Sequence, residues 1–254
     1  QDFTVSGERF SGYTPPPLHS VSVQNGQVQI ASSAYWPNGS NNPPVLLGSA
    51  LLMRGNAGFG SGFNNVLSQN QNVIEWAFNV ANQDGSFNNE FNFILASTSA
   101  DALSTAAQGY EITGGGLVGN RMVLSTFNEG ADGPQNAVLD MANGLGTLPQ
   151  MGSFMVTFNP ATDQWKLFGT LGGAFVDPAQ VSHLLGEGTD ATYANTSLPY
   201  FGFGGGTTGL DIFDNVSVSM VPEPSVMALI LAATAACTLL PGRIRSGKWS
   251  ERRH

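Results

Sequence analysis

Cysteine is all but missing. Cys237 is the one thiol in 254 residues, so no intramolecular disulfide can form and the small disulfide-scaffold class is excluded. Charge is scarce as well: Asp, Glu, Lys and Arg make up 11% of the chain, where about 25% is usual for soluble proteins. Lysine is confined to Lys166 and Lys248. Histidine occurs at His19, His183 and His254, with no pair at a ligand spacing, which argues against a zinc site or a His-based triad. What remains is 41% hydrophobic, enough for a full core and too much for global disorder. Gly, Asn, Ser, Thr and Gln fill the gap left by charge, giving a surface kept soluble by amides and hydroxyls. The length suits one large all-β domain or two small ones.

The few charges are unevenly divided. Residues 1–221 hold four basic side chains (Arg9, Arg54, Arg121 and Lys166) against sixteen acidic ones, a net of −12. Residues 222–254 hold five basic and two acidic ones, a net of +3. A body this acidic repels phosphate backbones, so nucleic acid is not an expected partner, while neutral glycans or cations are tolerated. The chain opens at Gln1 with polar, strand-like residues, which fits a mature end left after signal-peptide cleavage as well as it fits an arbitrary boundary.

Strand signals are dense. Val21 to Ile30 read as a hairpin about Asn25-Gly26, because a type I′ turn needs positive φ at both central residues. A two-residue loop sets Val23 opposite Val28 and Val21 opposite Ile30. Ile74, Trp76, Phe78 and Val80 alternate with Glu75, Ala77 and Asn79; Phe91, Phe93 and Leu95 follow, then Met122, Leu124 and Thr126. Phe154, Val156 and Phe158 run into Asn159-Pro160, and Trp165 and Leu167 return. Ile212, Val216, Val218 and Met220 share one parity. Period-2 runs separated by Gly, Asn, Pro and Ser clusters imply an all-β, antiparallel β-sandwich or barrel. Helix is limited to one or two short pieces. Asp177 as N-cap before Pro178, an apolar face of Val181, Leu184 and Leu185, and a stop at Gly186 predict two or three turns. A further turn is expected within 100–107.

At Val221 the character changes. Pro222-Glu223-Pro224 forbids continuation of strand or helix. Val226 to Leu240 carries no charge, and Arg243, Arg245, Lys248, Arg252 and Arg253 follow. Fifteen apolar residues span about 22 Å as a helix, short of a ~30 Å hydrocarbon core. The helix would be apolar all round, unlike a core helix with one buried stripe, and the basic end obeys the positive-inside rule. That places the C-terminus initially in the cytoplasm and the body outside. A Pro-Glu-Pro box, an apolar stretch and a basic end in this order resemble the C-terminal sorting signal of PEP-CTERM proteins, although the cations here are spread out rather than tightly clustered. The resemblance implies a Gram-negative exported protein whose tail is recognised and cleaved by an exosortase, with 226–240 held transiently in the inner membrane. The expected organisation is therefore a β-sandwich domain over 1–220 and a sorting tail over 221–254.

The runs Val73–Val80, Phe154–Leu167 and Phe213–Val218 are similar to those of concanavalin A-like and laminin-G-like jelly rolls. That resemblance implies a jelly-roll sandwich and a lean towards glycans.

Catalytic signatures are mostly wanting. Gly114-x-Gly116-x-x-Gly119 fits the dinucleotide fingerprint in letters only, since Arg121–Phe127 reads as a strand where a helix is required. Paired carboxylates in the Glu-x-Asp-x-Glu manner of jelly-roll glycosidases are absent, and Asp211 and Asp214 point to opposite sides of a strand. Loops around Asp84 and Asp132 offer oxygens that suit calcium, with ordinary Asx turns as the plainer account. Trp76 and Trp165 are expected in the core, whereas Trp36, in the polar loop Tyr35–Ser40, is the aromatic best placed to stack on sugar. The expected function is that of an exported, non-catalytic surface or matrix module associated with exopolysaccharide. A carbohydrate-active hydrolase or lyase is the alternative, and a structural subunit without ligand the third reading.

Overall fold

Alternation of bulky apolar residues with small or polar ones builds two sheets that turn their bulky sides to each other. The computed structural model describes residues 4–5, 20–24, 27–32, 50–55, 63–82, 91–115, 121–131, 133–141, 151–172, 174–205 and 209–221. The chain divides into two units, Gln1–Val221 and Pro222–His254, and the second lies outside the described residues. Fourteen strands appear among those described: β1 (Thr4–Val5), β2 (Ser20–Gln24), β3 (Gln27–Ser32), β4 (Ala50–Gly55), β5 (Val73–Asn82), β6 (Phe91–Ser97), β7 (Gln108–Gly115), β8 (Arg121–Asn128), β9 (Gln135–Asp140), β10 (Met151–Asn159), β11 (Gln164–Leu171), β12 (Leu184–Thr189), β13 (Tyr200–Gly205) and β14 (Gly209–Val221). The first sheet runs β1-β4-β13-β6-β7-β8-β9 and the second β12-β11-β10-β5-β14-β3-β2, antiparallel throughout. The architecture is the expected antiparallel sandwich.

The core lies between the sheets. Trp76, Phe78 and Val80 of β5, Phe154, Val156 and Phe158 of β10, and Trp165 of β11 meet Phe93, Tyr110, Ile112, Leu124 and Phe203 of the first sheet, all at 1% exposure or less. Rings join the layers: Phe78 stacks on Phe93 at 4.2 Å between centroids, and Phe203 on Phe213 at 4.7 Å. Such pairs add about 0.5–1.5 kcal/mol each beyond the area they bury. Trp76 and Trp165 sit in this core, as their parity predicts. The β2–β3 backbone register also matches, with Val23 opposite Val28 and Val21 opposite Ile30; the Asn25-Gly26 turn is outside the described residues.

One polar knot spans the layers. The Tyr110 hydroxyl, on β7, donates to Asp190 Oδ1 at 2.9 Å and accepts the Tyr193 N–H at 3.0 Å. From the other sheet, Trp165 Nε1 donates to the Asp190 carbonyl at 3.1 Å, and its ring lies 4.6 Å from that of Tyr110. Asp190 also takes the N–H and hydroxyl of Thr192. The 190–198 turns are in turn pinned to the segment before β5 by Ser68 N–H to the Ala194 carbonyl and Leu198 N–H to the Asn65 carbonyl. Burial, reinforced by the nearby Asp190 carboxylate, holds the Tyr110 phenol above its ordinary range, while the Tyr193 N–H pulls the other way.

Two features depart from the sequence reading. The helix expected from Asp177 to Leu185 is a single 3-10 turn, Pro178–Gln180. Asp177 does cap it, accepting the Ala179 N–H at 3.1 Å, but Val181 is already extended. Leu184–Thr189 then pairs with β11 as the edge strand β12, because ladder hydrogen bonds outweigh a weak short-helix propensity. Gly186 is therefore no helix stop. With Gly188 it lets β12 approach β9, since a Cβ on Gly188 would strike the Val138 carbonyl oxygen and one on Gly186 the Met141 sulfur. The second departure is in β14. Phe213 faces the core and Ile212 does not, although Val216 and Val218 do pack against it. Asp214 pairs with Asn79 and Ser217 with Ala77, so one extra residue is inserted. Asn215 absorbs it at φ 51°, a bulge with left-handed backbone that asparagine tolerates. Residues 100–107 form successive turns closed by Ser104 N–H to Asp101 O and Ala107 N–H to Ser104 O.

Tyr110→Phe tests the knot. Losing a hydroxyl that both donates and accepts should cost about 1–3 kcal/mol and lower Tm by roughly 3–9 °C. Because the folded phenol sits above its ordinary value of 10.0, it contributes stability below that pH and loses it as pH rises further. The gap between wild type and variant should therefore shrink in alkaline thermal melts. A constant gap would show that the phenol titrates normally.

Candidate functional site

The outward face of the first sheet has an unusual composition for a covered surface. In antiparallel pairs, opposed residues share a face. Asn92 of β6 lies opposite Thr113 of β7 and, on its other side, Gly204 of β13. Thr113 lies opposite Val123 of β8. The next row joins Gly202, Ile94, Glu111 and Ser125. Core residues alternate with these, so Asn92, Thr113, Glu111 and Ser125 all point away from the sandwich interior. Solvation is what an outward polar side chain normally enjoys, yet Glu111, Thr113 and Ser125 are 0% exposed and Asn92 4%.

Shielded polar atoms need partners, because each left unpaired costs about 1–3 kcal/mol. Asn92 Oδ1, Thr113 Oγ1 and Ser125 Oγ have none. Strands spaced ~4.8 Å apart put this array across about 10 Å of sheet. Beside it β13 contributes only Gly202 and Gly204, so the floor there carries no side chain. At one end an apolar cluster rises on the same side: Ile94 and Phe127 from the sheet, with Ala102, Leu103, Ala107 and Ala131 from the turns folded over it. Tyr200, half-buried, packs against this cluster. Gly109 lets the Phe127 ring lie across β7, where a Cβ would meet both that ring and the Ala96 carbonyl oxygen. At the far rim Arg121 Nη1 bonds Asp140 Oδ2 at 2.8 Å.

Chemically, the array offers an amide oxygen, two hydroxyls and a carboxylate in a water-poor setting, next to an apolar shoulder. Its unpartnered oxygens are of the kind that hydroxyl groups bond. It does not bring two carboxylates together in the manner of a glycosidase: Asp140 is two strands from Glu111, offset along the sheet, and ion-paired. On the opposite sheet, Glu75 is raised above the ordinary carboxyl range, first by burial and then by Asp177, with a Ser219 hydrogen bond opposing. Asp177 there is engaged as the cap of the 3-10 turn. A separate cleft of about 520 Å³ opens at the β11–β12 edge, lined by Met141, Gly169, Thr170, Leu171, His183, Leu184 and Leu185.

Of the residues singled out in sequence, Trp36, Asp84 and Asp132 lie outside the described residues, as do Pro222, Glu223, Pro224 and the basic residues from Arg243 to Arg253. Among the described residues there is no group of three His, Cys, Asp or Glu that could hold a metal ion, and no helix long and apolar enough to cross a membrane. The strand after the glycine-rich 114–119 stretch is present as β8. Sequence reasoning missed the Asn92–Thr113–Glu111–Ser125 array. Its signal was the polar parity interleaved with Phe91, Phe93, Ile112 and Leu124, which reads as an ordinary wet face.

No protein-family profile and no curated protein sequence matches the chain. Solved structures do resemble it distantly. Arcelin-5, a lectin-like defense protein from Phaseolus vulgaris, is 10% identical over 79% of this chain and 88% of its own, with a TM-score of 0.48. A β-glucanase catalytic domain from Podospora anserina is 12% identical over 87% and 86%, at 0.44. An alginate lyase from Pseudomonas aeruginosa is 12% identical over 82% and 88%, at 0.41.

Thr113→Val measures the array directly. Replacing an unpartnered buried hydroxyl by a methyl of the same shape should leave Tm unchanged or raise it by about 1–3 °C. A clear fall in the melting temperature would mean that the hydroxyl is bonded and structural.

Proposed function

We propose that this is an exported cell-surface or extracellular-matrix protein, non-catalytic, whose body associates with glycan through the outward face of the first sheet. The observation that carries the reading is the set of unpartnered, shielded atoms Asn92 Oδ1, Thr113 Oγ1 and Ser125 Oγ on one face. Proteins keep such costly groups where function needs them, and sugar hydroxyls can satisfy all three at once. A ligand reaching them must displace whatever now shields the face, so association should be slower than the usual 10⁵–10⁷ M⁻¹s⁻¹ range for preformed surfaces, roughly. Trp36 would add a stacking platform and Asp84 or Asp132 a calcium ligand; both belong to this proposal. The tail from Pro222 is its other half: the Pro-Glu-Pro box as exosortase signal, 226–240 as transient inner-membrane anchor, and the basic end as cytoplasmic stop. The body over 1–220 would fold without it.

The alternative, a hydrolase or lyase, draws on the Glu75 carboxyl of the opposite sheet, raised by burial and then by the nearby Asp177. Cap duty for Asp177 weighs against it, since a capping carboxylate is already hydrogen-bonded.

Incubating the purified body with immobilised and soluble glycans separates the readings. We expect retention without new reducing ends or unsaturated products, and retention reduced in Thr113→Val while its fold persists. Product release would establish the enzyme. Neither retention nor release would leave a purely structural role.

The tail makes its own prediction. Intact mass of the protein recovered from its native host should give a chain ending near Pro222–Ser225, outside the cytoplasm. Deleting 222–254 should leave Tm unchanged but free the protein from the cell. A chain ending at His254 in the soluble cytoplasm would overturn the sorting assignment.

A further inference from the structure

A second site lies on the other sheet, and we infer that it takes the end residue of a glycan chain by two adjacent hydroxyls. Asn79 of β5 points outward, between Phe78 and Val80 of the core, and is 0% exposed. Among the described residues neither its Nδ2 nor its Oδ1 has a hydrogen-bond partner. Ser153 of β10 lies opposite it, and Thr170 of β11 lies opposite Ser153. The three share one face, so strands ~4.8 Å apart set Thr170 about 10 Å from Asn79. Thr170 is exposed and lines the cleft of about 520 Å³ at the β11–β12 edge. Exposure falls along this row, from the open Thr170 through Ser153 at 2% to Asn79. The row has a mouth, a neck and a blind end.

A strap over residues 174–183 covers the neck. Its feet stand at the cleft, where the Gly172 N–H donates to the Met151 carbonyl and the Gly169 N–H to the His183 carbonyl, each at 3.0 Å. Its crown, the turn Pro178–Gln180, lies against β10 and β5, with Pro178 and Val181 buried. One side chain latches it: the Ser153 hydroxyl accepts the Val176 N–H at 3.1 Å and donates to the Val176 carbonyl at 3.3 Å. The Val176 side chain stays 44% exposed, so this latch, not packing, fixes that part of the strap. Behind the latch, the Asn79 carboxamide presents donors and an acceptor side by side. Two adjacent sugar hydroxyls answer both at once, one accepting from Nδ2 and the other donating to Oδ1. A single hydroxyl cannot, since both bonds would bend far from linear. The pair must enter as a chain end, because Asn79 is shielded on every side while the mouth lies two strands away. There Leu184 and Leu185 offer the following sugar an apolar wall, with Thr170 and His183 as polar neighbours.

Laminaritriose is a suitable probe, because its β-1,3 linkages leave adjacent hydroxyls only on the end residues. Periodate followed by borohydride destroys those pairs and spares the middle sugar. The titrations use the purified protein carrying Thr113→Val, which disables the first sheet's face, so that failure here leaves the reading of that face untouched. We expect the intact trisaccharide to bind, and the treated one to bind roughly tenfold more weakly or less. Asn79→Leu, an apolar side chain of similar size, should keep the Tm and lose the intact trisaccharide to the same degree. Ser153→Ala should speed association by releasing the latch. Equal binding of the treated and intact trisaccharides would overturn the recognition of paired hydroxyls. Unchanged affinity in Asn79→Leu would overturn the site; were that variant to unfold, Leu184→Glu at the exposed mouth decides the same point. Binding of neither trisaccharide would mean that Asn79 meets only trapped water, and would overturn the proposal.

Discussion

A phenol, a carboxylate and an indole hold the two layers in register. Sheets packed on apolar side chains alone can slide, because dispersion and burial have little directional preference. Tyr110, Asp190 and Trp165 remove that freedom, since hydrogen bonds tolerate neither a shift of an ångström nor a change of register. Their rings are part of the same aromatic stack that fills the centre, where Trp165 also meets Trp76 at 5.8 Å and Phe158 at 4.6 Å. Asp190 itself sits in a loop, held by Thr192 and by the turns that lead to β13. The position of β13, with the glycines that floor the outward face, thus descends from this knot.

The two faces of the first sheet follow different rules. Inward, the described positions are mostly apolar, and the polar Tyr110 is satisfied. Outward, shielded side chains keep hydrogen-bonding atoms without partners. A sandwich with so large an aromatic core tolerates a few such losses, each comparable to one lost hydrogen bond. The inward side carries one as well: Trp76 Nε1, on the facing sheet, is shielded in the core without a partner. Strand alternation allows both rules to run along one segment: Phe91, Phe93 and Asn92, or Ile112 and Thr113.

Much of the sandwich was legible in sequence because period-2 alternation is a local signal. The pairing of Val21 with Ile30 followed from two turn residues, and the burial of Trp76 and Trp165 from parity. The failures were of non-local origin. Nothing within Leu184–Thr189 says that β11 waits to pair with it, so capping residues at Asp177 and Pro178 suggested a helix. The bulge at Asn215 is visible only against its partner β5, where Asn215 and Val216 together oppose Phe78. The polar array was written plainly in Asn92, Glu111, Thr113 and Ser125, yet sequence cannot distinguish an outward face bathed in water from one withdrawn from it. That difference, which makes the array a candidate site, belongs to tertiary structure.

Gly186 and Gly188 carry a consequence beyond packing. Exposed strand edges are templates on which further strands of other molecules add, and β-proteins at high concentration must blunt them. On this flank the last strands of both sheets, β9 and β12, are drawn together so tightly that a single methyl at Gly188 would meet the Val138 carbonyl. On that flank the two edges lie against each other, and two hydrogen atoms in place of side chains are what allow it.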